Sequence, residues 1–222
     1  MHKGEFEGEK AAKQKKRILI LGESHHISND EDSPNREPGK EATYDTKEVV
    51  QEYLENYNNH TGDERKTTLR FFDNIVRAFG IDPDVGRTSF WDGVYFGNYI
   101  DVLCGVRDTA ATRILKQDGK REELNKKLFS FIEEKEIDIV FCFSRKVYNK
   151  LPPLEKADYE EKGNLFDLHR IDKCTYCDGQ REHVSISLSK PVTIYGLKHP
   201  SQGFSYRRYQ DALKNLLSFK IQ

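Results

Sequence analysis

The sequence carries almost no net charge: 36 Lys and Arg against 37 Asp and Glu leave −1. No overall field draws the chain to nucleic acid or to an anionic membrane, so either role has to rest on a local cluster of cations. Long apolar runs are also missing; none approaches the roughly 20 residues that a membrane-spanning helix needs. The opening stretch, with Glu5, Glu7 and Glu9 and then Lys13, Lys15, Lys16 and Arg17, has no apolar centre of the kind a signal peptide carries. Cysteine is scarce, with four in the chain. Without a secretory signal they are expected to be free thiols or metal ligands in a reducing compartment, and the expected location is cytoplasmic. No internal repeat is visible.

What is present describes a globular domain. The 222 residues are 36% hydrophobic and 33% charged, a polar but foldable balance. The 13 Phe and 11 Tyr supply apolar area that offsets chain entropy. The expected organisation is a charged tail over residues 1–16 and a single domain over 17–222.

Apolar patterning places the elements. Arg17-Ile18-Leu19-Ile20-Leu21 is a continuous apolar run ended by Gly22, which is how a strand covered on both faces reads. Residues 27–43 are rich in Asp, Asn, Glu, Pro and Gly and predict a mobile loop just after that strand. Helices are predicted at 46–58, 67–79, 120–135 and 206–219, with Gly80 at the position of a helix C′ glycine. The segment 90–100 is aromatic and predicted to be a strand at its centre. Further strands are predicted at 137–143, 184–188 and 192–197, the last two forming a hairpin. Alternating strands and helices give the expected fold class: α/β, a three-layer α/β/α sandwich with a mainly parallel central sheet. Ligands bind such sheets beyond the carboxyl ends of the strands.

Two constellations follow predicted strands. In Gly22-Glu23-Ser24-His25-His26, glycine permits a sharp turn at a strand end, and a carboxylate with two imidazoles supplies proton-transfer groups near neutral pH. The same residues also serve as a polar loop whose imidazoles cap backbone groups. In His199-Pro200-Ser201-Gln202-Gly203-Phe204-Ser205, Ser205 is placed to cap the next helix, with Arg207 and Arg208 in its first turns. That combination suits an anion or phosphate, or simply a capped helix with two solvated arginines.

The chain resembles the uracil-DNA glycosylase superfamily. Ile18-Leu19-Ile20-Leu21-Gly22-Glu23-Ser24-His25-His26 is similar to its first motif, written Gly-Gln-Asp-Pro-Tyr-His in one family and Gly-Glu-Ala-Pro-Gly in another. Bacterial members with a Gly-Glu-Ser-His-Tyr first motif are more similar still. Trp91-Asp92-Gly93-Val94-Tyr95-Phe96-Gly97-Asn98-Tyr99 resembles the middle strand whose asparagine reads a pyrimidine edge, and His199-Pro200-Ser201 resembles the second motif. The resemblance implies a uracil-DNA-glycosylase-like fold over about 17–219 and hydrolysis of the N-glycosidic bond of a damaged or deaminated base. It implies DNA, or a nucleotide or nucleobase, as partner. Asn98 would read the flipped base. His199 would stabilise charge developing on it, and Glu23 or His25 would orient water. Gly22, Ser24, His26, Ser201 and Arg207 would complete the binding site. Ser24 stands where the best-studied family has its water-activating Asp, and a serine is a poor general base. The four-cysteine iron–sulfur pattern of other families is absent.

Two rivals stand beside this. Gly-Glu-x-His after a strand also occurs in erythromycin-esterase-like and other metal-dependent hydrolases. A non-catalytic nucleotide- or nucleic-acid-binding module on the same fold would keep the pocket without a competent base. Separately, His169-x4-Cys174-x2-Cys177-x5-His183 contains a zinc half-site with two flanking imidazoles, so structural zinc is an expected cofactor; two loop thiols is the plainer alternative. Cys104 and Cys142 are expected to be buried.

Overall fold

A computed structural model describes residues 5–26, 46–56, 67–104, 109–152, 159–160, 171–177, 187–201 and 203–216. Its centre is the run 17–21 identified above, now part of a longer strand, β2 (Ile18–His26). Parallel to β2 on one side lies β3 (Tyr95–Cys104), and on the other β4 (Ile139–Cys142) followed by β7 (Val192–Gly196). Short antiparallel strands close the edges: β1 (Phe6–Glu7) beside β3, then β6 (Asp172–Tyr176) and β5 (Tyr159–Glu160) beyond β7. The sheet order is β1-β3-β2-β4-β7-β6-β5.

Helices cover both faces because the strands are apolar on both. Ile18 and Ile20 of β2, with Phe96 and Phe141, pack under α1 (Thr46–Asn56), α2 (Thr67–Ala78), α3 (Pro83–Asp92) and α7 (Tyr206–Leu216). Leu19 and Leu21, one step out of phase, pack with Tyr95, Val140 and Cys142 against α4 (Thr109–Leu115), α5 (Lys120–Glu134) and α6 (Arg145–Tyr148). This is the pleat of a strand whose successive side chains point to opposite faces. The helices form where apolar residues recur at helical spacing. Phe72, Ile75, Val76 and Phe79 are buried from α2, and Leu124, Leu128, Phe131 and Ile132 from α5. Gly80 takes φ +78° just past α2, the left-handed cap for which glycine has no steric penalty.

Sequence expectations change at two places. Residues 5–16 are not a tail: Phe6 packs edge-on against Trp91, Ala11 is fully buried, and the Gly8 N–H donates to the Val94 carbonyl at 3.1 Å. Two apolar side chains among many charges dock this segment. Phe90 and Trp91 close α3 ahead of β3, and with Tyr95 and Phe96 they are core. The partner of β7 is β6, whose alternation of Asp172, Cys174 and Tyr176 inward with Lys173 and Thr175 half-exposed does not read as apolar. Residues 184–186, expected to form that partner strand, lie outside the described residues, as does 27–45.

The pairing of β2 with β3 is irregular at one place. Ser24 pairs with Ile100 but His25 pairs with Leu103, so Asp101 and Val102 are extra residues on β3. The buried Asp101 carboxylate is held from α5 by Lys127 at 2.5 Å and Lys120 at 3.1 Å. Burial alone would raise this carboxyl, but the two ammonium groups outweigh it and hold it below the usual carboxylate range. A carboxylate whose folded-state value is depressed stabilises the protein above its unfolded value, near 4, and that stabilisation is lost as pH falls through the lower folded value. Asp101→Asn should therefore cost roughly 1.5–3 kcal/mol at neutral pH, the range for hydrogen bonds to charged groups. The difference from the parent should shrink as pH drops below about 4. Urea unfolding of both proteins between neutral and acid pH measures it, and a pH-independent difference would contradict the assignment.

Candidate functional site

Because β2, β3, β4 and β7 run parallel, the ends of all four face one way, and residues 22–26, 98–104, 143–146 and 197–201 gather at that edge. The chain leaves β2 for β3 on one side and later returns to β4 on the other. The crevice of such a sheet therefore opens between β2 and β4.

Gly22 is not at a strand end; it lies within β2, opposite Asn98. Its glycine is explained by space. A Cβ there would come within 2.2 Å of Asn98 Oδ1 and 3.6 Å of the Phe96 ring. The Asn98 amide thus lies across Gly22 on the face covered by α2. His199 joins the same face: its ring centroid is 5.3 Å from that of Phe71 of α2, which in turn is 6.3 Å from Phe96. Phe71, Asn98 and His199 are each half-buried, so an aromatic ring, an amide and an imidazole share one face at this edge.

The loop carrying His199 is firmly placed. Asn74 Nδ2, one turn along α2 from Phe71, donates to the Pro200 carbonyl at 2.9 Å. The Lys198 N–H donates to the Tyr209 hydroxyl at 3.2 Å, and Lys198 Nζ to the Gly203 carbonyl at 2.9 Å. Ser201 is exposed and its carbonyl accepts the Phe204 N–H at 3.1 Å. Ser205 immediately precedes α7, and its carbonyl accepts the Arg208 N–H at 3.2 Å.

Glu23 takes the opposite face. Its carboxylate is buried, accepts the Ser144 hydroxyl at 2.6 Å and lies 3.9 Å from Lys146 Nζ. The structure therefore brings Gly22, Asn98 and His199 together but turns Glu23 towards α6. Ser24 is half-buried, with its hydroxyl enclosed. His25 and His26 belong to the end of β2, and their side chains lie outside the described residues. Beneath Glu23, burial pushes the Cys142 thiol up to about 12, which leaves it a packing residue with no thiolate at neutral pH.

Cations collect on α2 and α7. Arg70 and Arg77 stand on α2 two turns apart, about 10 Å, on either side of Asn74. Arg77 and Arg207 flank the Tyr206 ring, with guanidinium carbons 5.6 and 6.0 Å from its centroid. Arg70, Arg207 and Arg208 are exposed. Among the described residues these four arginines enter no ion pair, whereas Arg17 and Arg121 pair with Glu136 and Glu122.

Of the zinc half-site, Cys174 lies inside β6 with its thiol 3.8 Å from the Ile194 carbonyl, and Cys177 follows the end of that strand. Among the described residues no group of three His, Cys, Asp or Glu side chains is placed to hold a metal; His169 and His183 lie outside them.

Sequence reasoning missed Phe71 and Ser144. Phe71 sits next to the buried Phe72, off the apolar stripe of α2, and an aromatic in that position is the signal that could have found it. Ser144 had no signal beyond following an apolar strand. No protein-family model and no curated protein matches the chain.

The fit of Asn98 over Gly22 is open to a direct check. Gly22→Ala should cost about 1–3 kcal/mol through overpacking, and much less in an Asn98→Ala background where the clashing amide is gone. Chemical unfolding of the four proteins closes this cycle. Equal costs in both backgrounds would mean that Asn98 does not occupy that space.

Proposed function

We propose that this chain is a uracil-DNA-glycosylase-like protein that takes a damaged or deaminated base of DNA into the opening between Phe71, Asn98 and His199 and hydrolyses its N-glycosidic bond. The observation that carries the reading is that a ring, an amide and an imidazole from three separate parts of the sequence share one face at the carboxyl edge of the sheet. Phe71 offers a stacking surface for a base. Asn98 offers both a donor and an acceptor to a base edge. His199 is the donor aimed at charge that develops on the departing base. The composition demands a local cation cluster for any nucleic-acid role, and Arg70, Arg77, Arg207 and Arg208 on α2 and α7, which enter no ion pair among the described residues, supply one.

A second reading, a binding module without catalysis on the same fold, is favoured by one observation. By the resemblance Ser24 stands where the water-activating Asp would be, and the neighbouring Glu23 carboxylate lies on the other face.

The test is release of uracil, hypoxanthine and alkylated bases from single- and double-stranded oligonucleotides. His199→Ala should lower the single-turnover rate about 10²–10³-fold while barely changing affinity, because its interaction strengthens only in the transition state. Arg77→Ala and Arg207→Ala should weaken binding and each reduce the salt dependence by about one phosphate contact. Unchanged base release by His199→Ala would remove its catalytic role. Tight binding without release from any substrate would establish the module reading instead.

A further inference from the structure

The backbone ladder between β2 and β4 stops early. Its last pair is Leu21 with Cys142, followed by the Phe143 N–H to the Leu21 carbonyl at 2.8 Å. Beyond that point β2 continues through Gly22 to His26, paired among the described residues with β3 alone and across the irregularity after Ser24. Within the described residues this segment is thus laddered on one side. On its other side the Ser144 hydroxyl reaches the Glu23 carboxylate at 2.6 Å, within the short range of a hydroxyl bound to an ionised carboxylate. Ser144 also accepts the Val147 N–H at 3.2 Å as the N-cap of α6. One hydroxyl therefore joins β2, the end of β4 and α6.

We propose that Glu23 is a positioning residue and not the base: its bond to Ser144 replaces the missing β2–β4 ladder and holds Gly22, and with it Asn98, at the opening. The inference rests on the base-binding reading above and specifies what Glu23 does within it. A carboxylate on the α6 side cannot reach a water attacking a base held on the α2 side, but it can set the height and twist of the strand between them. Lys146 Nζ lies 3.9 Å from the other carboxylate oxygen, on the same α6 side.

Substitution separates the two roles. Glu23→Gln keeps an acceptor for Ser144 but has no proton-accepting carboxylate. Its single-turnover base release should stay within about threefold of the parent with the same pH profile, since general acid–base catalysis would forfeit about 10²–10⁴. Glu23→Ala and Ser144→Ala should each lose about tenfold or more, and the double variant no more than the larger single loss, because both remove the Glu23–Ser144 bond, Ser144→Ala losing its cap on α6 as well. An activity-independent readout runs beside this: the side-chain NMR signals of Asn98 and His199 should move in the two alanine variants and stay in place in Glu23→Gln. A large loss in Glu23→Gln, additive alanine losses, or unmoved signals in the alanine variants would overturn the proposal. A parent that releases no base, but whose NMR signals follow the stated order, would overturn the glycosylase reading while sustaining the positioning role.

Discussion

The pleat of β2 governs what the rest of the molecule can do. With Ile18 and Ile20 committed to the α2 side and Leu19 and Leu21 to the α5 side, the strand has no freedom left when it reaches the edge. Gly22 must follow Ile20 and Glu23 must follow Leu21. A slip of one residue would bury the wrong set on each face and expose the other. The chemistry of the edge is therefore sorted by parity: the face of Gly22 receives Asn98, Phe71 and His199, and the face of Glu23 receives Ser144 and Lys146. A motif that reads as one polar loop is divided between two sides of a sheet.

Much of this fold is legible in the sequence because its signals are local and strong. Continuous apolar runs marked β2, β4 and β7, helical stripes marked α2, α5 and α7, and Gly80 marked a helix end. The arrangement of helices on both faces of a mostly parallel sheet follows from that alternation. What could not be read depends on contacts distant in sequence. β6 presents Asp172 and Cys174 inward, which no apolar template recognises. β1 forms because Phe6 finds Trp91, some 85 residues away in number. Of the candidate site, the placement of Asn98 in a central strand and of His199 just beyond another was legible. The facing of Glu23 was not, because the motif was read as a loop and a loop has no parity. Phe71 was passed over because its neighbour Phe72 accounted for the helical stripe.

Electrostatics repeats the lesson that totals conceal arrangement. A chain of net charge −1 carries on α2 and α7 four arginines that enter no ion pair among the described residues, and uses other charges structurally. Asp101 with Lys120 and Lys127 secures the two extra residues of β3, and Asp138 with Lys190 ties the start of β4 to the turn before β7. Among the described residues the first group enters no ion pair, and the other two satisfy their charges internally.

The most direct measurement is a structure of the protein bound to a single-stranded oligonucleotide carrying one deaminated base as its 2′-fluoro nucleotide, which resists bond cleavage. The account predicts the base against the Phe71 ring, its edge at the Asn98 amide and a base carbonyl within hydrogen-bond reach of His199, with phosphates beside Arg77 and Arg207. A base lodged instead against Glu23 and Lys146 on the α6 side would contradict it.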